Sequence, residues 1–158
     1  MSTNSLHLRG DQENPRRISA SELHKLPRAE VWTTDRLNSG KDVVYSGTPF
    51  VEVLKAGGLS LGCGMAGIRE IVTMTVFIEA ADGHRAVFSL AELCPDFVDR
   101  VTLLVDTKDK QPLPPGEGPF RIIAPSEKLR RRWVCQVKAV AVHCPDRRLR
   151  LRLLVDQE

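Results

Sequence analysis

Leu103-Leu104-Val105-Asp106-Thr107-Lys108-Asp109-Lys110-Gln111-Pro112-Leu113-Pro114-Pro115-Gly116-Glu117-Gly118-Pro119-Phe120-Arg121-Ile122-Ile123-Ala124-Pro125 is the stretch whose reading decides the fold. The apolar run Val101–Val105 is too short for a helix and reads as a buried strand. Residues 106–119 are rich in Asp, Lys, Pro and Gly and read as a loop. Phe120–Ala124 is a second apolar run, and Pro125 follows it. Two buried strands joined by a long Pro/Gly connection point to a sheet protein.

Working outward, the same alternation of short strands and turns continues. Ser126–Arg132 reads as a basic turn or short helix, and Trp133–His143 as a long strand. Arg147–Val155 alternates Arg and Leu at first, as an edge strand with one wet face does. On the other side, Ile71–Ala80 alternates Val72, Met74, Val76 and Ile78 with Thr73, Thr75, Phe77 and Glu79. Asp82-Gly83 is a hairpin turn, and Arg85–Phe88 returns. Ser89-Leu90-Ala91-Glu92 is a capping box with Phe88 and Leu93 as its staple. It opens a short helix that ends before Pro95.

Ser19 and Glu22 form another capping-box pattern, and Ile18 and Leu23 are placed as a staple. That helix stops at Pro27. Glu30–Thr34 reads as a strand, Asn38-Ser39-Gly40 as a turn and Asp42–Tyr45 as the returning strand. Thr48 caps a helix with Pro49 at its first position, and Gly57-Gly58 end it. Residues 59–69 read as a glycine-containing loop. The polar residues 1–14 read as a flexible tail, leaving residues 15–158 as one domain. The expected class is α+β, mostly β, a mixed sheet with short helices.

The chain has 158 residues and 42% apolar residues, enough for one domain with a real core. A net charge of +3 neither requires nor excludes an anionic partner. No segment is long and apolar enough to cross a membrane. No apolar run with a small-residue cleavage pattern follows Met1, so the sequence as written predicts a cytoplasmic protein; an upstream signal would make it periplasmic or exported. Cys63, Cys94, Cys135 and Cys144 lack metal-ligand spacing and read as small buried hydrophobes. The basic segment Arg147–Arg152 has no aromatic stacking partners, which disfavours nucleic acid.

Four segments, in order, resemble the molybdopterin-binding domain of the sulfite oxidase family. They are Tyr45-Ser46-Gly47-Thr48-Pro49-Phe50 with Val53-Leu54; Ala81-Asp82-Gly83-His84 with Val87-Phe88-Ser89-Leu90; Leu103-Leu104 through Pro112-Leu113-Pro114 to Gly118-Pro119-Phe120-Arg121 and Pro125; and Arg132-Trp133-Val134 with Val137 and Val140. The third is the most specific. The resemblance spans roughly residues 15 to 143 and implies a short stand-alone form of that fold.

It also implies an oxidoreductase that moves an oxygen atom on molybdenum held by a molybdopterin dithiolene and one protein thiolate, a soft ligand suited to that metal. The thiolate belongs shortly before the Tyr-x-Gly element. Here that region is Val31-Trp32-Thr33-Thr34-Asp35-Arg36-Leu37, without cysteine, and Cys63 falls after the element. The resemblance therefore implies a molybdopterin-binding domain that is catalytically degenerate. The alternative is a non-catalytic binding module for a small anionic ligand, or for an electron-transfer or other protein partner. Asp35 is the one candidate for a carboxylate standing in for the thiolate; otherwise it is a turn former.

By the same resemblance, the cofactor-binding candidates are Gly118, Arg121, Lys128, Arg131, Arg132 and His84. A phosphate is held by guanidinium groups and free backbone N–H groups. Arg121 either faces such a phosphate or sits in a structural salt bridge. Lys128, Arg130, Arg131 and Arg132 could add charge there and otherwise form a solvated basic surface, and His84 an exposed turn residue. Trp133 reads as a core residue and Ser89 as a helix cap.

Overall fold

A computed structural model describes residues 5–10, 16–36, 40–58 and 71–143. The strands are β1 (Ser5–Gly10), β2 (Arg16–Ser19), β3 (Ala29–Thr34), β4 (Asp42–Pro49), β5 (Thr75–Ala80), β6 (Arg85–Ser89), β7 (Leu103–Lys108), β8 (Gln111–Pro112), β9 (Arg121–Ile123) and β10 (Val137–His143). The short helices α1 (Ala20–His24), α2 (Phe50–Ala56) and α3 (Leu90–Leu93), and a 3₁₀ turn at Arg130–Arg132, lie among them. The class is α+β and mostly β, as the sequence implies.

The strands form two five-stranded sheets. One runs β2-β1-β10-β5-β6 and is mixed, because β1 lies parallel to β10. The other runs β3-β4-β7-β8, with β9 also on β7, and is antiparallel. A single buried cluster joins them. Leu6, Ile18, Val76, Ile78, Phe88 and Val140 enter from the first sheet, and Val43, Tyr45, Leu104, Val105 and Ile122 from the second. Phe50, Val53 and Leu54 of α2 also join it. Full burial of each such side chain stabilises the fold by about 1.5–3 kcal/mol.

Local chemistry fixes several element ends. The Ser19 side chain accepts from the Glu22 N–H at 3.2 Å, capping α1. Ser89 and Glu92 make a full reciprocal box at the start of α3. The Asp82 carboxylate accepts from the His84 N–H at 2.9 Å, and Gly83 takes a positive φ of 88° that suits glycine in the β5–β6 turn.

Other expectations are corrected. Ser5–Gly10 is no tail: it is β1, paired with β2 and β10, and Leu6 is wholly buried. Its partners are distant in sequence, so local polarity misleads there. The strand predicted for Asp42–Tyr45 does not end at Tyr45. Strand β4 runs on to Pro49, and the register against β7 shifts at Ser46/Gly47. A Cβ on Gly47 would fall 2.1 Å from the Leu104 carbonyl oxygen, so only glycine allows this approach. The helix consequently starts at Phe50, and the Thr48 hydroxyl donates to the Leu23 carbonyl instead of capping it. Strand β5 begins at Thr75 rather than Ile71. Strand β10 begins at Val137 rather than Trp133, because Gln136 takes a positive φ of 53° that breaks extended pairing. The predicted loop 59–69 lies outside the described residues, as does the segment Arg147–Val155.

Candidate functional site

The connection between β7 and β9 delivers charge to the interior. Strand β7 ends at Lys108, a tight reversal at Asp109 and Lys110 with φ of 49° and 66° follows, and the chain returns through Gly116 to Glu117 and Arg121. Asp109 fixes the reversal on β4: its N–H donates to the Val44 carbonyl at 2.8 Å, and its carboxylate accepts from the Val44 N–H at 3.0 Å. Lys108 is thereby turned under the sheet rather than into solvent.

Its ammonium lies 2.7 Å from Asp35 and 2.9 Å from Glu117. Arg121 donates to Glu117 at 2.6 Å and to the Tyr45 hydroxyl at 3.0 Å, and that hydroxyl donates to Glu117 at 2.7 Å. Asp35, Tyr45, Glu117 and Arg121 are all buried. Two carboxylates face two cations, so the four charges cancel, as buried charges must. The Arg121 guanidinium also sits over the Tyr45 and Trp133 rings, 5.6 and 5.7 Å from their centroids.

Titration follows this geometry. Burial, then the hydrogen bond to Glu117, pushes the Tyr45 phenol up to about 12. Burial alone would raise Glu117, but the Tyr45 and Lys108 hydrogen bonds and the Arg121 charge hold its carboxyl below the ordinary range. Burial works against the Lys108 ammonium, yet its bonds to Asp35 and Glu117 prevail and raise it. Burial pushes the Cys135 thiol up, and it is a free thiol at the rim of this cluster.

Arg130 adds one more cation. It donates to the Thr34 carbonyl at 2.6 Å and the Thr33 hydroxyl at 2.8 Å, and stacks 4.1 Å from the Trp133 centroid. These partners are neutral. Burial, then the Arg36 and Arg121 charges, lowers its pKa. Arg121 Nε is buried with no hydrogen-bond partner.

The sequence-derived candidates fall into two groups. Arg121, Gly118 and Asp35 belong to this cluster. The N–H of Gly118 is spent on the Pro114 carbonyl at 3.0 Å, and its Cα packs on Leu113 before a cis bond to Pro119. Asp35 is held by Lys108. The remaining candidates lie beside β6. Arg132 donates to Glu127 and to Glu92 at 2.9 Å, covers the Phe88 ring, and reaches the Val87 carbonyl at 2.9 Å. The Arg132 hydrogen bond is the largest influence holding Glu92 below its ordinary range. The His84 ring meets the Arg131 carbonyl at 3.2 Å, while the Arg131 and Lys128 side chains are exposed. Trp133 is in the core, its ring N–H donating to the Ala124 carbonyl.

Sequence reasoning singled out Arg130 only as one of a run of basic residues, and missed Tyr45, Lys108 and Glu117. The i, i+4 spacing of Glu117 and Arg121 was the available signal, but the intervening Gly-Pro argues against a helix.

The residues present do not fit a molybdenum centre. Such a centre takes one protein thiolate, and the described residues around the expected position, Val31–Arg36, include no cysteine. The carboxylate nearest the expected thiolate position is neutralised by Lys108.

No protein-family model matches the chain, and no curated protein matches it. Among solved structures, it is similar to the sulfane dehydrogenase SoxCD from Paracoccus pantotrophus, with a TM-score of 0.64 and 15% identity. The match covers 88% of this chain and 38% of that one, so the chain spans about two fifths of that protein's length. At this identity the likeness shows a shared fold. No described helix is long and apolar enough to cross a membrane.

Proposed function

We propose that this chain is a catalytically degenerate domain of the molybdopterin-binding, oxidoreductase-like fold, acting as a binding module rather than as a molybdenum oxidoreductase. The observation that carries this reading is the Lys108–Asp35 pair at 2.7 Å, inside a cluster whose charges already cancel. Lending that carboxylate to a metal would leave Glu117 alone to balance both Lys108 and Arg121.

A small anionic ligand fits the remaining chemistry. Arg121 Nε is a buried donor without a partner, and Arg130 is a cation held by neutral groups. In this reading Arg121 and Arg130 meet the anion, and exposed Lys128 and Arg131 raise its local concentration. Arg132, Gly118 and His84 hold structure.

The test is expression of the full chain in a host that makes molybdenum cofactor, followed by molybdenum analysis and assay of the fluorescent pterin released on oxidation. The expected result is folded protein with neither above background. Stoichiometric molybdenum with pterin overturns the proposal.

A further inference from the structure

Among the described residues, strand β3 ends its sheet, and its ladder with β4 reveals which of its backbone groups point outward. In an antiparallel pair, opposed residues either exchange both hydrogen bonds or turn all four groups away from each other. Trp32 opposes Val44, and both backbone groups of Val44 are taken by Asp109 on the far side. Trp32 and Val44 are therefore a non-exchanging pair. The N–H and C=O of Trp32, and by alternation those of Glu30, face the free edge. Arg130, donating to the Thr34 carbonyl, agrees with this alternation and closes the C-terminal end of the edge.

The side chains there are open as well. Trp32 is 72% exposed and Leu129 74%, the two most exposed large apolar side chains among the described residues. They adjoin Thr33 and Arg130, which are hydrogen-bonded to each other. Glu30 is exposed, shares a face with Trp32, and makes no ion pair among the described residues. An unpaired edge carrying a large apolar residue is the kind of edge that proteins ordinarily protect.

We propose that the Ala29–Thr33 edge of β3 docks an extended segment of a partner protein as an added strand, with a basic and an apolar side chain two residues apart. The outward amides demand an extended occupant, because only a strand meets two alternate N–H and C=O pairs. Period-two alternation puts the residues opposite Glu30 and Trp32 on one face. The carboxylate selects the basic side chain. Trp32, a residue type enriched at interface hot spots, selects the apolar one. This inference rests on the binding-module reading and adds a protein partner to its small anionic ligand.

The test uses the full chain and two palindromic acetylated, amidated peptides, Thr-Lys-Thr-Val-Thr-Lys-Thr and its counterpart with Glu for Lys; palindromes fit either strand direction. Expected are about tenfold tighter binding of the lysine peptide and slowed amide exchange at Glu30 and Trp32, with no change at Val31. Glu30→Lys should reverse the preference, and Trp32→Glu should abolish binding with an unchanged melting temperature. Amide protection elsewhere, equal binding of both peptides, or undiminished binding by folded Trp32→Glu overturns the proposal. Dimerisation of the free chain that Trp32→Glu abolishes also overturns it, since the occupant is then a second copy. Molybdenum content is unaffected by any of these outcomes, so failure here is distinct from failure of the binding-module reading.

Discussion

Two sets of ion pairs in this molecule use the same chemistry at different depths. Around Glu117, two carboxylates and two cations are buried together, and each is held by at least one partner of opposite sign. Around Arg132, one guanidinium bridges Glu92 and Glu127 at the surface of the β6–α3 corner, about 28% exposed. Water can replace a lost partner at the second site but not at the first. The buried set therefore acts as a unit, whereas the outer set is a clamp that stabilises modestly and yields to salt.

The largest effect should come from breaking the buried set. Glu117→Ala removes the carboxylate that Arg121 pairs with and leaves Lys108 its pair with Asp35, and should cost about 3–5 kcal/mol by urea unfolding. Lys108→Met should cost about 3 kcal/mol at pH 7. Its cost should shrink as pH falls, with the following sign. The folded pKa of Glu117 lies below its ordinary 4.5, so its contribution is present above that value and is lost as pH falls through the folded pKa. Wild type loses on acidification what the variant has already lost.

On the alkaline side, the raised pKa of Lys108 and that of Tyr45, about 12, make stability fall as pH rises beyond about 10, where the unfolded tyrosine ionises first. Tyr45→Phe should cost about 1–2 kcal/mol at neutral pH and flatten that alkaline decline. At the outer site, Arg132→Ala should cost about 1–2 kcal/mol, part of it vanishing in 1 M salt. Ser89→Ala, which removes the cap beside it, should cost about 1 kcal/mol with no salt dependence.

The sequence is most readable where the information is local. The capping signals at Ser19 and Ser89 and the Asp82-Gly83 turn depend on neighbours within a few residues, and the structure repeats them. The fold resemblance rests on Gly118-Pro119-Phe120-Arg121, where backbone restriction and packing on Leu113 act within one turn. What escaped is long-range. Strand β1 owes its order to β10, which follows it by more than 120 residues. Lys108 looks like one more charge in a polar loop until the Asp109–Val44 contacts turn it inward. Gly47 fits a turn by composition and a strand by its clearance from Leu104. Asp35 was identifiable as an acidic group near the thiolate position, but its partner, Lys108, was not.

If Asp35 is committed to Lys108 rather than held for a metal, a double-mutant cycle with Asp35→Asn and Lys108→Met in metal-free buffer should give a coupling of about 2 kcal/mol or more, with no change in melting temperature when molybdate is added to wild type. A coupling near zero, with wild type stabilised by molybdate and Asp35→Asn not, would show instead that Asp35 is held for a metal.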